Sequence, residues 1–230
     1  MRTELVAILL SGTILGCVAL ATPVSATTPP SPPLKQVALT FDDGPYGAPT
    51  VEILNTLEGE HVPATFFLIG RNVEEYPELA KREAADGDLI GNHTEDHSIT
   101  LASSTAEAFK ADLDKAAEII ASTTGVRTTF FRPPYGNMSE TMREVLRKEG
   151  YKTVMWNDDA RDWDFSGSPT ETVVSRILSQ VKPDSIIVLH DGRDTRVGYP
   201  RSNTVNAVRI IIADLKKEGY TFVTVDKLIH

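Results

Sequence analysis

The residues able to do chemistry in this chain stand mostly just after apolar runs. His93 and His97 lie four apart in His93-Thr94-Glu95-Asp96-His97. That spacing turns both imidazoles to one ion if the segment forms a helical turn. The metalloprotease helix pattern needs Glu directly after the first His, and Thr94 stands there instead. Two solvated loop histidines would leave the same letters. Asp42 and Asp43 adjoin behind the apolar run 37–41. Neighbouring carboxylates in such a place repel unless a cation or an arginine offsets them. One could ligate an ion while the other stays free as a base; the alternative is a turn, since Asp43-Gly44-Pro45 is good turn chemistry. His190 ends the apolar run 186–189, and Asp159, expected after the neighbouring strand, is read as the carboxylate that fixes its tautomer and raises its pKa. Arg132 adds a cation behind another short run. His61 and His230 read as surface residues.

Several other chemistries drop out. Cys17 is the only cysteine and lies in a segment expected to be removed. Disulfides, thiol nucleophiles and Cys-ligated zinc are therefore not expected, and any metal must be held by His, Asp or Glu. A serine esterase would show a G-x-S-x-G elbow, which is absent. No glycine-rich phosphate loop follows the first strand. Lys plus Arg number 23 against 32 Asp plus Glu, a formal net charge of −9. No surplus of cations exists to release counterions from nucleic acid, whereas a neutral glycan meets no such obstacle.

The elements that must position these residues alternate. Strands are expected at 37–41, 64–69, 89–91, 129–131, 152–156, 186–189 and 221–225, and helices at 49–57, 77–85, 105–122, 139–148, 171–181 and 205–217. In the helix expected at 105–122, Phe109, Leu113, Ala116, Ala117 and Ile120 keep a 3.6-residue period, and Gly125 ends it. Apolar strands alternating with helices imply a parallel sheet covered by helices, either an open doubly wound sheet or a (β/α) barrel. In a barrel the strand ends share one face, where sites are built.

The N-terminus reads as a targeting segment: Arg2, an apolar run at 5–21, then Val24-Ser25-Ala26, a small-x-small cleavage signal. The run is shorter than the ~20 residues of a spanning helix. The expected division is a signal peptide at 1–26, a Pro-rich spacer at 27–34 and a catalytic domain at 35–230, secreted to the cell-wall side. An uncleaved anchor, or a lipid on Cys17, would be the only routes to a membrane. A monomer is expected.

Five ordered motifs carry a family resemblance across residues 35–229. Thr40-Phe41-Asp42-Asp43-Gly44-Pro45, His93-Thr94-Glu95-Asp96-His97, Arg132-Pro133-Pro134-Tyr135, Asp159-Ala160-Arg161-Asp162-Trp163 and Val188-Leu189-His190 together resemble carbohydrate esterase family 4, the polysaccharide deacetylases. Three letters depart from its pattern: Val188 for a usual Leu, Ser98 for a common Pro, and Asp158 at an often apolar position, where it could add negative charge near His190.

The resemblance implies a distorted (β/α) barrel with about seven parallel strands and an acetylated glycan as substrate. It implies that Asp43, His93 and His97 bind one divalent metal ion, zinc first, with Co²⁺ or Mn²⁺ as alternatives. It makes Asp42 the base, held ionised by Arg132, and aims the backbone N–H of Tyr135 at the oxyanion. His190, paired with Asp159, becomes the acid, and Leu189 and Trp163 line the acetyl pocket. The implied reaction is removal of N-acetyl groups, from peptidoglycan N-acetylglucosamine or a chitooligosaccharide. Acetylxylan O-deacetylation and a non-catalytic glycan-binding barrel are the alternatives.

Overall fold

The computed structural model describes residues 34–164, 168–193 and 201–229. The expected signal peptide, and the spacer apart from Leu34, lie outside the described residues. Among the described residues eight parallel strands form: β1 (Gln36–Asp42), β2 (Thr65–Leu68), β3 (Leu89–Asn92), β4 (Phe130–Phe131), β5 (Lys152–Thr153), β6 (Asp158–Asp159), β7 (Ser185–His190) and β8 (Thr221–Phe222). Seven helices separate or flank them: α1 (Gly47–Glu60), α2 (Gly70–Glu75), α3 (Pro77–Ala85), α4 (Ala106–Thr124), α5 (Glu140–Lys148), α6 (Thr170–Gln180) and α7 (Ser202–Lys217).

The sheet order is β5-β4-β3-β2-β1-β7-β6, and β8 pairs with the start of β1 through Gln36↔Thr221 and Val37↔Phe222. This order forces curvature. Laid flat, the two edge strands of a seven-strand path would stand ~29 Å apart at about 4.8 Å per spacing. Yet β5 and β6 are consecutive in the chain, and the five peptide steps from Thr153 to Asp158 reach at most ~18 Å. The sheet therefore curls into a half-barrel whose edges approach without pairing among the described residues. The expectation of a distorted barrel of about seven parallel strands is met by this path.

Period-2 alternation divides each strand between two cores. Val37, Leu39 and Phe41 of β1 pack outward with Ile53, Leu54, Ile187, Leu189 and Ile211. Ala38 faces inward with Phe67, Val154 and Val225. Thr40 and Asp42 follow on that inner side. Helix ends obey local chemistry: Thr105 and Ser139 accept hydrogen bonds from the backbone N–H of Ala108 and Met142, and Gly125 closes α4 in the left-handed region.

Three features departed from expectation, one of them the last strand, expected at 221–225, which is two residues long and is followed by a 3-10 turn at Val225–Lys227. The segment after β2 forms α2, six mostly polar residues with no apolar period to announce it. The expected strand at 152–156 is only two residues long, and Asp158 and Asp159 form a strand of their own rather than trailing one.

Candidate active site

Strand register brings the candidate site residues to one level. Asp42 pairs with His190 on one side and with Phe67 on the other. Leu68 pairs with Asn92, and Asn92 with Phe131. The residues one step on, Asp43, His93, Arg132 and Asp191, stand together beyond the C-terminal ends of adjacent strands, as the barrel argument anticipates.

Asp43 Oδ1 lies 3.5 Å from His93 Nε2 and 3.3 Å from His97 Nε2. His93 Nδ1 is 2.7 Å from the carbonyl oxygen of Arg132 and donates its proton there, which leaves Nε2 as a lone-pair donor facing Asp43. All three residues are buried, and among the described residues Asp43 Oδ1 has no hydrogen-bond donor. Converging lone pairs of this kind need a positive charge among them. Burial opposes ionisation of Asp43, but when the rings carry protons the attraction of His97, the hydrogen bond from His93 and the nearby His190 outweigh it and hold the carboxyl well below its usual range. Two imidazoles and one carboxylate, with their ligand atoms within 4.8 Å of one another, suit a divalent cation that keeps an open position.

The two histidines meet through a loop rather than a helical turn. Thr94 and His97 have φ of 73° and 58°, and Asp43 has 70°. Such backbone costs about 1–3 kcal/mol per non-glycine residue and persists only when its surroundings hold it. Asn92 Oδ1 accepts the Thr94 N–H, Thr94 Oγ1 accepts that of His97, and Asp112 accepts that of Glu95.

Arg132 is fully buried and fully engaged. Its Nη1 donates to Asp42 Oδ1 at 2.8 Å and to Thr40 Oγ1 at 2.7 Å, and its Nε to the Val154 carbonyl at 3.1 Å. The guanidinium lies 4.1 Å from the Phe67 ring centroid. Burial lowers its pKa, Asp42 raises it, and an arginine keeps its charge throughout. Asp42 is thereby held by one oxygen, while Oδ2 faces the candidate metal site, 3.9 Å from His93 Nε2.

His190 has a different partner from the one expected. Asp162 Oδ1, not Asp159, lies 2.8 Å from His190 Nδ1; Asp162 Oδ2 accepts the His190 backbone N–H and the Thr204 hydroxyl. The register explains the correction. Asp159 pairs with Val188, two residues short of His190, or about 6.6 Å back along the strand. Its carboxylate instead accepts the Arg161 N–H, closing a turn that carries Asp162 to the imidazole. Burial lowers the His190 pKa, but the Asp162 charge and hydrogen bond win, with help from Asp43, and raise it to about 9. Asp162 is correspondingly lowered, His190 overcoming its burial. Both Asp162 and Asp159 were visible in the Asp159-Ala160-Arg161-Asp162-Trp163 motif; only the register tells which one reaches the ring.

Two further expectations change by the same alternation. Leu189 packs in the helix-side core with Phe41 and Ile53, facing away from the site, while Val188 shares the face of His190. Asp158 pairs with Ile187, a helix-side residue, so its charge points away from His190. Trp163 is 49% exposed and stands at the rim rather than in a core. Tyr135 is 40% exposed, has φ of 58°, and sets its ring 4.5 Å from that of His97.

The family model for polysaccharide deacetylases matches residues 30–154. The chain is 36% identical over 198 residues to a peptidoglycan-N-acetylglucosamine deacetylase of Bacillus cereus, covering 85% of this chain and 89% of that protein. It is 33% identical to a chitooligosaccharide deacetylase of a Bradyrhizobium strain, covering 81% and 87%. A crystal structure of a peptidoglycan N-acetylglucosamine deacetylase superposes with a TM-score of 0.79 at 35% identity, covering 85% and 88%. With the half-barrel and its site already described, these matches place the chain in the polysaccharide deacetylase family of metal-dependent hydrolases.

Proposed function

We propose that this protein removes N-acetyl groups from N-acetylglucosamine units of a glycan, peptidoglycan first and chitooligosaccharide second, using zinc at Asp43, His93 and His97. The observation that carries this reading is the pairing of Asp42 with His190 across β1 and β7, directly beside the three converging ligand atoms. The named activities of the similar Bacillus and Bradyrhizobium proteins support the substrate order.

A bound divalent ion lowers the pKa of water toward about 7 and polarises a carbonyl oxygen. The chain's own residues do the rest. Asp42, anchored through Oδ1 by Arg132, takes the proton of the attacking water through Oδ2. The Tyr135 backbone N–H steadies the negative charge that develops on the acetyl oxygen, a contribution of ~3–4 kcal/mol for such a donor. His190, kept protonated by Asp162, gives its proton to the departing nitrogen. Asp159 acts at one remove, shaping the turn that delivers Asp162. Val188 and Trp163 border the space for the acetyl methyl, with Leu189 backing the sheet from its other face. The apolar segment at 5–21 supports export to the cell-wall side.

Acetate release from peptidoglycan, chitooligosaccharide and acetylxylan tests the reading directly. Activity should vanish with a chelator, return with zinc, and fall at least ~10²-fold in kcat for Asp42→Asn, which should still bind zinc. Undiminished turnover in Asp42→Asn would remove the base from the mechanism, and release from acetylxylan alone would overturn the substrate.

A further inference from the structure

Strand β2 supplies no ligand, yet it lies between the strands that do, β1 with Asp43 and β3 with His93. Four consecutive residues after it donate to the two ligand loops. The Ile69 N–H donates to Gly44 O at 3.1 Å, the Gly70 N–H to Thr94 O at 2.9 Å and the Arg71 N–H to Glu95 O at 3.0 Å. The fourth donor is a side chain. Asn72 Nδ2 donates to Asp43 O at 2.7 Å and to Arg193 O at 3.1 Å. Asn72 is itself buried, and α2, which carries it, is seated on α4: a Cβ at Gly70 would come within 3.1 Å of Ala116 Cα.

We infer that Asn72 is a positioning residue for the metal site, its amide holding the left-handed backbone of Asp43 so that Oδ1 faces the two imidazoles. Physical necessity supports this role. Asp43, one residue beyond β1, holds a φ of 70°, and its buried carbonyl left without a donor would cost about 1–3 kcal/mol. Both N–H groups of the Asn72 amide are consumed, one by the Asp43 loop and one by the residue that follows Gly192, so one side chain sets the spacing of the loops beyond β1 and β7. Asn72 reaches neither the ligand atoms nor the reacting groups; it acts through the backbone.

The inference rests on Asp43 being a metal ligand. The test uses full-length protein stripped of metal, and measures zinc binding by competition with a chromophoric chelator alongside the thermal melt of the apo form. Asn72→Ala should bind zinc 10–100-fold more weakly, the usual effect of losing a partner behind a ligand. Its acetate release should recover when zinc is raised to saturation, which a merely structural defect would not allow. Asn72→Leu, which fills the same space without donors, should behave alike. Zinc affinity within twofold of the parent in either folded variant overturns the inference, as does failure of both variants to fold, which would make Asn72 a folding residue. Asp43→Ala is the control. If it binds zinc like the parent, the metal-site reading itself fails; if only the Asn72 variants bind normally, that reading stands and the inference alone falls.

Discussion

The pairing of His190 with Asp162 decides how the proposed acid behaves. A leaving nitrogen needs a protonated donor, and an ordinary histidine is largely deprotonated above pH 7. Asp162 accepts from both the ring and the backbone of His190, and the oxygen that takes the backbone N–H also accepts the Thr204 hydroxyl. It outweighs the burial that would otherwise favour the neutral ring, raising the pKa to about 9. The sign follows: acid catalysis is available below that value and is lost as pH rises through it. A cation on Asp43 removes part of the supporting charge, so the limb of the metal-loaded enzyme should lie at or below about 9. Asp162→Asn should move this falling limb of kcat downward by at least one pH unit, with zinc affinity nearly unchanged. A limb that stays in place in that variant would assign the acid elsewhere. Asp159→Asn, by contrast, should alter the limb less, since Asp159 touches the turn and not the ring.

At the scale of elements, the loop after β1 is shaped from three sides. The N–H groups of Asp191 and Gly192 donate to Asp42 O, Ile69 donates to Gly44 O, and the Tyr46 N–H finds Thr50 Oγ1, which in turn donates to Asp191. This scaffold leaves no spare volume. A Cβ at Gly192 would collide with the carbonyl of Asp43, and that neighbour is backbone, which cannot swing aside. Gly192→Ala should therefore displace the Asp43 loop, weaken zinc binding at least about tenfold and abolish activity, while circular dichroism still reports a folded protein. Normal zinc affinity in that variant would show that the loop can shift without disturbing the proposed ligand. Cap chemistry predicts a smaller change of a different kind: Ser139→Ala removes the oxygen that accepts the Met142 N–H and should cost about 1 kcal/mol of stability without touching catalysis.

Across the whole molecule, a partly buried carboxyl makes stability depend on pH. Asp88, whose Oδ1 accepts the Ala64 N–H, is pushed up to about 7 by burial against that hydrogen bond. A carboxyl with a raised folded pKa binds its proton more tightly in the folded state. Its favourable share is complete below the ordinary value of 3.8 and is lost as pH rises toward about 7. Asp88→Asn keeps a hydrogen-bond acceptor but cannot ionise. It should melt at a higher temperature than the parent at pH 8 and at the same temperature near pH 4. Equal melting temperatures at pH 8 would show that water reaches this carboxyl freely.

The sequence by itself determined the alternation of strands and helices, because apolar periodicity is a local property, and it singled out the candidates for the chemistry, because Asp42, Asp43, His93, His97, Arg132 and His190 stand beyond the ends of apolar runs. It also allowed the curl to be anticipated through the family resemblance. Tertiary structure alone decided which groups meet. Asp162 rather than Asp159 reaches His190, Leu189 turns to the helices while Val188 shares the inner face, and the unannounced helix α2 brings Asn72 to the carbonyl of Asp43. The reason is the same in each case. A strand's side chains change face at every residue, and two segments distant in the chain acquire their relative register only when the sheet assembles.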